Sequence, residues 1–357
     1  MKICIFADGQ SIHTQRWCKH FHSLGHQVDL ISFKDISIEN INVHLIEGGN
    51  INVNGGNWRL LFHTLKVKRK IKEISPDIVH SLYATSYGII GALCGFHPYV
   101  ITALGSDVLV SPKQSSIYRV LLKFAFRKAD WITAMADHMK KAIEDLGVPS
   151  SKVSTVPFGI DPLIFNDENR LISENEFVIT STRNFEDIYN IPHLIKAVSK
   201  IKDQIPGIKL NLIGDGSLRS EIEEMVDSFG LKPFTTFYGK IPQPQIASIL
   251  RGSNLFISVS LSDGNNISLN EAMACGTYSI VTNIAANQQW IENGENGFLV
   301  EIDDVEDLAS KILKVKDSYT DLVNNARNIN HQKIQDKGIW SVNMEKVEQG
   351  YKRLVSL

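Results

Sequence analysis

Short apolar runs alternate with amphipathic stretches along the whole chain, a rhythm that predicts parallel β-sheets covered by helices on both faces. In the first half the runs predict strands at Lys2–Ala7, Gln27–Ser32, Asn42–Ile46, Ile78–Ser81, Tyr99–Ala103, Trp131–Ala134 and Lys152–Val156. Helical spacing falls between them, as at Thr14–Leu24, where Gly25 stands as the expected C-cap. The segment Pro157-Phe-Gly-Ile-Asp-Pro162 breaks the rhythm with two prolines and a glycine and reads as a joint. Beyond it the alternation resumes at Glu176–Ser181, Lys209–Ile213, Thr235–Tyr238, Leu255–Ser260 and Tyr278–Thr282. Pro244 suits the first turn of a helix carrying Ile246, Ile249 and Leu250. The last segment, Gly338–Leu357, is amphipathic through Trp340, Val342, Met344, Val347, Tyr351 and Leu354. The expected architecture is two doubly wound α/β domains, residues 1–165 and 166–337, facing a cleft. Ligands in such sheets sit beyond the carboxyl ends of the strands.

A chain of 357 residues with 43% apolar content fits two domains. Charged residues interrupt every apolar run before the roughly 18 positions that a membrane span needs. Met1–Ala7 reads as a buried strand rather than a leader, so the expected location is the cytoplasm. Cys4, Cys18, Cys94 and Cys275 lie in apolar contexts without paired spacing, which suits buried thiols. Residues 1–165 hold 18 Lys and Arg against 13 Asp and Glu, a balance of +5; the remainder holds 19 against 26, or −7. That asymmetry favours the first half as the one meeting an anionic surface.

The chemistry concentrates between Leu255 and Val300. An apolar strand leads into Asp263-Gly-Asn-Asn-Ile267, then the short helix Ser268-Leu-Asn-Glu-Ala-Met-Ala-Cys-Gly276 and a second buried strand. Gly264 lets the backbone approach a ligand. The amides of Asn265, Asn266 and Ile267, leading into the helix at Ser268, aim N–H groups and a helix dipole at one place. Asp263 and Glu271 flank this cradle. A nucleoside diphosphate sugar, with phosphates for the amides and hydroxyls for the carboxylates, satisfies both features.

An acid followed after seven residues by Glu, then Ala-Met-Ala-Cys-Gly276 and Ile291-Glu-Asn-Gly-Glu-Asn-Gly-Phe-Leu-Val300, strongly resembles the donor site of family 4 retaining glycosyltransferases. The resemblance implies the GT-B fold, two Rossmann-like domains with a terminal helix crossing back onto the first. It makes residues 1–165, with about 338–357, the acceptor-binding domain and residues 166–337 the donor-binding domain. Carried over by position, Glu271 holds the ribose hydroxyls, Asp263 contacts the transferred sugar, and the loop amides from Gly264 to Ser268 hold sugar and phosphate. Asp263 stands where the family usually has Glu. The implied donor is a UDP-sugar and the implied acceptor a glycan or lipid-linked hydroxyl. The implied process is surface polysaccharide or glycolipid synthesis, with no cofactor.

Other strand-end loops carry two readings each. Ile213-Gly-Asp-Gly-Ser-Leu-Arg219 is a tight strand-to-helix turn or, by resemblance, a donor loop in which Gly214, Asp215 and Gly216 lie beneath the nucleotide. Arg183 is a surface arginine paired with Glu186 or Asp187, or a guanidinium clamping the pyrophosphate. The family has Lys five positions beyond this Arg, where Ile188 stands; Lys240 is the candidate substitute. Asp107, in Ala103-Leu-Gly-Ser-Asp-Val108, is a helix cap or a polar group near the transferred sugar; Leu104 occupies the place of a family His. Gln10, Ser11 and His13 form the first strand-end loop on the acceptor side. His13 either polarises a hydroxyl or merely starts a helix.

Eleven histidines raise a metal hypothesis, but His20 and His22 splay apart on a helix and no Asp-x-Asp occurs, so no metal is expected. The runs Trp58–Lys72 and Tyr118–Lys128 mix apolar and basic residues at helical spacing. Each is a helix packed on one side, or a patch resting on anionic lipid at the inner membrane face. No basic stripe with interleaved aromatics points to nucleic acid. The rivals to glycosyl transfer are a UDP-sugar epimerase or hydrolase of the same architecture and a catalytically silent nucleotide-binding subunit.

Overall fold

The computed structural model describes residues 1–48 and 61–356. These divide into two compact units, Met1–Val156 with Glu345–Leu357, and Pro157–Met344. Trp58–Leu60, the start of the first basic run, lies outside the described residues.

The first unit is a parallel sheet of seven strands: β1 Lys2–Phe6, β2 Gln27–Ser32, β3 Asn42–Leu45, β4 Ile78–Leu82, β5 Tyr99–Ala103, β6 Trp131–Ala134 and β7 Val153–Thr155. Their order is β3-β2-β1-β4-β5-β6-β7. Every residue of β4, β5 and β6 is buried. These strands therefore read as continuous apolar runs rather than alternating ones, as a sheet covered on both faces requires. The helix Ile12–Ser23 follows β1 and has Leu24 as its C-cap; Gly25, where the sequence predicts the cap, lies one residue beyond, turns the chain at φ 83° and donates its N–H to the His22 carbonyl at 2.9 Å.

The end of the chain belongs to this unit as well. In the helix Trp340–Val355, Val347 and Tyr351 are fully buried, and Tyr351 Oη accepts the Trp17 indole N–H at 3.3 Å and pairs with His80 Nδ1. Gly350 lies against the Trp131 indole, where any Cβ would collide. The unit boundaries differ from the sequence estimates of 165 and 338. Ile160 and Phe165 sit in the core of the second unit, and Ile160 bridges Ile339, donating to the Gly338 carbonyl at 2.7 Å. Residues 157–165 and 338–344 therefore stay with the second unit.

The second unit carries six parallel strands: β8 Phe177–Ser181, β9 Ile208–Ile213, β10 Thr235–Gly239, β11 Leu255–Ser258, β12 Tyr278–Thr282 and β13 Phe298–Val300. Their order is β10-β9-β8-β11-β12-β13. The sequence reading missed β13, a three-residue strand that pairs Phe298 with Ile280 directly after the turn closed by Gly297. One apolar cluster, including Ile179, Leu210 and Ile257, packs one side of this sheet; another, including Phe256, Met273 and Trp290, packs against the helices.

The strand orders locate where ligands can enter. In the first unit the chain leaves β1 toward β2 and leaves β4 toward β5, in opposite directions. The second unit repeats this between β8 and β11. At such a reversal the two outgoing loops separate and open a crevice at the carboxyl ends of the strands.

Candidate functional site

At the β8–β11 reversal stand the residues that the sequence singles out most strongly. Arg183 follows β8 and is 8% exposed. Its Nη2 donates to Asp263 Oδ2 at 2.7 Å, and its Nη1 donates to Asn266 Oδ1 at 3.1 Å and to Ser268 Oγ at 3.4 Å. The Tyr189 ring covers the guanidinium, with its centroid 4.2 Å from Cζ. Arg183 is therefore not paired with Glu186 or Asp187. Glu186 instead accepts from the Ser217 hydroxyl at 2.5 Å and the Ser217 amide at 3.1 Å, and those bonds hold its carboxyl below the usual range.

The cradle helix runs from Ile267 to Ala274, with Asn266 as its N-cap accepting from the Leu269 amide at 3.1 Å. Asn266 Nδ2 also donates to Ser258 Oγ at 3.1 Å and Asn287 Oδ1 at 3.0 Å. Asn265 Oδ1 turns inward to accept from the buried Trp290 indole at 2.9 Å and Gln289 Nε2 at 3.3 Å. Both side chains thus brace the loop from behind.

The open amides differ from those expected. Asn265 donates to Asp263 Oδ1 at 3.2 Å and Ile267 to the Asn265 carbonyl at 2.9 Å. Among the described residues the amides of Gly264, Asn266 and Ser268 make no such bond within the chain. Burial also leaves Ser181 Oγ, Thr182 Oγ1, Arg183 Nε and Asn270 Nδ2 without a partner. Glu271 lies one turn along the helix and is 8% exposed.

The glycine-rich loop serves the chain's own packing. Gly214, at φ 139°, lies under the backbone after β8, where a Cβ would come within 2.5 Å of the Arg183 carbonyl; Gly216 lies equally close to the Phe185 carbonyl. Asp215 is exposed, and its carbonyl accepts from the Phe185 amide at 3.2 Å. The tightness sets the loop after β8 against the loop after β9, so these contacts are those of the tight-turn reading. Lys240 is exposed at the end of β10, and among the described residues it forms no ion pair.

In the first unit, Gln10, Ser11 and His13 lie at the carboxyl end of β1. The Gln10 amide donates to Asp8 Oδ1 at 2.9 Å, its side chain to the Asp35 carbonyl at 3.2 Å, and the Ser11 amide to the Asp8 carbonyl at 3.2 Å. Burial and the neighbouring Arg16 hold the His13 imidazole down at about 4, so it is neutral at pH 7. Asp107 is fully buried and accepts from the amides of Ala84 at 2.7 Å, Gly105 at 2.8 Å and Leu104 at 3.2 Å. Burial raises its carboxyl above the usual range. With its oxygens turned onto three amides, Asp107 staples the β4 and β5 loops together, and its own helix, Ser106–Leu109, receives no side-chain cap from it.

Two residues escaped the sequence reading. Tyr83 follows β4 at φ 84°, which is rare for a non-glycine, and its hydroxyl lies 2.9 Å from Ser106 Oγ. Tyr189 reaches Arg183 only through a 3₁₀ turn at Asp187–Tyr189, and no sequence pattern marks that turn.

Comparison with known proteins bears on the family and the fold. The family described as "Glycosyl transferase 4-like" matches residues 2–136, and "Glycosyl transferases group 1" matches residues 164–332. The N-acetyl-alpha-D-glucosaminyl L-malate synthase of Bacillus anthracis is 27% identical over 298 residues, spanning 78% of this chain and 77% of the relative. The UDP-Gal:alpha-D-GlcNAc-diphosphoundecaprenol alpha-1,3-galactosyltransferase of Escherichia coli is 26% identical over 273 residues, 71% of this chain and 70% of that one. Anabaena HepE, solved in complex with UDP and glucose, superposes with a TM-score of 0.82 at 18% identity, covering 99% of this chain and 100% of HepE. Matched in both units and along nearly its whole length, the chain belongs to the group 1, family 4-like glycosyltransferases of GT-B fold.

Proposed function

We propose that this glycosyltransferase moves a hexosyl group from a UDP-sugar to a hydroxyl of a glycan or lipid-linked acceptor, with retention at the anomeric carbon and without a divalent ion, in surface polysaccharide or glycolipid synthesis. One observation carries the reading. At the β8–β11 reversal a buried arginine keeps its Nε–H without an acceptor beside the open amides of a helix start. Buried donors left unmatched cost free energy, and the oxygens of a diphosphate supply the missing acceptors. The similar proteins fit: the Escherichia coli relative is named for UDP-Gal and a GlcNAc-diphosphoundecaprenol acceptor, and HepE was solved with UDP and glucose.

In this reading Arg183 and the amides of Gly264, Asn266 and Ser268 take the diphosphate, and Lys240 approaches it from the β10 edge. Glu271 takes the ribose hydroxyls and Asp263 the sugar. Gln10, Ser11 and His13 border the acceptor, and Tyr83 with Ser106 adds a hydroxyl pair there. The bond from the anomeric carbon to the departing diphosphate breaks while the acceptor oxygen bonds to the same face. A diphosphate oxygen takes the acceptor's proton, and the charge left on the diphosphate is met by the guanidinium and the helix start.

No helix among the described residues is long and apolar enough to cross a membrane. Contact with lipid would be peripheral, through Leu65, Ile117 and Val120, which are 77%, 71% and 66% exposed on two basic helices flanking Ile89–Cys94. A nucleotide-sugar panel read by calorimetry, followed by NMR of the product's anomeric proton with chelator present, tests the whole reading. Binding no nucleoside diphosphate, inversion, or dependence on added metal would each overturn the corresponding part.

A further inference from the structure

Arg183 is held on three sides, and the third holder has had no role until now. Asp263 takes one edge of its guanidinium and Asn266 another, while the Tyr189 ring, 4.2 Å from Cζ, covers a face. Tyr189 is itself fixed from both directions. Its amide donates to the Glu186 carbonyl at 2.9 Å, and the carbonyl of Ile188 accepts from the Leu261 amide at 2.8 Å, tying the 3₁₀ turn to the loop that carries Asp263. On the other side Asn190, at φ 51°, donates through Nδ2 to Asp303 Oδ1 at 2.9 Å. Ile188, the neighbour standing where the family resemblance expects a lysine, is 40% exposed.

A ring on a guanidinium face attracts the cation without using any of its N–H groups. A further edge-on partner would occupy the Nε–H, the donor nitrogen of this guanidinium that has no partner among the described residues; the ring leaves it open and still restricts the plane. We propose that Tyr189 is the positioning residue of the diphosphate clamp: its ring holds the Arg183 guanidinium in plane, so that one preorganised cation serves at this side of the cradle. The proposal rests on the donor-site reading above and adds to it the group that makes Arg183 effective.

Calorimetry with UDP on the full chain tests it through four proteins, wild type, Tyr189→Ala, Arg183→Ala and the double variant, with Tyr189→Phe as the conservative rescue. Thermal unfolding of each confirms that the second unit is intact. Tyr189→Ala should weaken UDP binding about tenfold, and Tyr189→Phe should stay within about twofold of wild type, because the ring rather than the hydroxyl acts. In the Arg183→Ala background, removing the ring should change nothing further. The proposal falls if Tyr189→Ala binds UDP as wild type does, if Tyr189→Phe is as damaged as Tyr189→Ala, or if the ring still counts when Arg183 is gone. A wild-type protein that binds no nucleoside diphosphate removes the donor-site reading and this proposal together, whereas wild-type binding with an unaffected Tyr189→Ala removes this proposal alone.

Discussion

The Arg183 guanidinium lies 2.7 Å from the Asp263 carboxylate, bridging the carboxyl ends of β8 and β11 with side chains only 9% and 15% exposed. In the proposed donor site a diphosphate would compete with Asp263 for the same cation. Asp263→Asn should therefore bind UDP several-fold more tightly while losing about a hundredfold in transfer rate, since the carboxylate that opposes the phosphates is also the one proposed to contact the sugar. Calorimetry with UDP and initial rates with the sugar nucleotide separate the two effects. If Asp263→Asn weakens UDP as much as Arg183→Ala does, the pair is a scaffold and not a competitor.

Gly214 and the backbone of Arg183 form a second constraint on the clamp. A methyl group at position 214 would lie 2.5 Å from the Arg183 carbonyl, and φ there is 139°. Gly214→Ala should cost about 3 kcal/mol, combining overpacking with backbone strain. It should also speed hydrogen exchange at residues 183–186. Gly294→Ala is the control: its φ of 90° is strained, but nothing stands within 4 Å, so a loss near 1 kcal/mol is expected. Equal losses at the two glycines would remove the packing argument.

Strands such as Ile78–Leu82 and Tyr278–Thr282 were legible because they are buried on both faces and so appear as unbroken apolar runs, whereas the three residues of β13 are too short to show one. Asp263 and Glu271 stood out as candidates because a cradle needs charge and glycine at fixed spacing, and Arg183 because it follows the strand Phe177–Ser181. The pairing of Arg183 was not, since Asp263 is eighty positions away in sequence and only the strand order brings the two together. Tyr189 left no trace because a ring over a guanidinium requires no local pattern. Asp107 shows the converse difficulty: a short polar residue can cap or bind, and no local pattern reveals that this one joins the loops after β4 and β5 through three amides.

His80 sets an acid limit on the first unit. It is fully buried between Tyr351 Oη and Thr102 Oγ1, the latter at 2.6 Å, and burial holds its imidazole down at about 3. The unfolded chain takes up a proton near pH 6.5 that the folded chain refuses until about pH 3. Stability is therefore complete above pH 6.5 and falls as pH drops through that window, by as much as about 5 kcal/mol at its lower end. His13, held at about 4, adds in the same direction. Urea midpoints at pH 7, 6 and 5, followed by the Trp17 environment, should decline for wild type and decline less steeply for His80→Asn, whose side chain takes up no proton. Parallel slopes would place the acid sensitivity elsewhere.

The basic helices of the first unit make the membrane proposal measurable. Ile117 and Val120 stand exposed on Ser116–Lys128, one turn apart, beside Arg119 and Lys123, and Leu65 is exposed on Thr64–Ile74 among Lys66, Lys68, Arg69 and Lys72. Apolar side chains inserted at the headgroup level and cations near anionic lipid act together, each cation contributing about 1 kcal/mol at low salt. The protein should co-float with phosphatidylglycerol vesicles, stay in solution with phosphatidylcholine alone, and be released by high salt. Ile117→Glu with Val120→Glu should abolish flotation, whereas Ile302→Glu, at an exposed apolar position of the second unit, should not. Wild-type protein that floats with neither vesicle, or a double variant that floats unchanged, would mean that these helices face water rather than lipid.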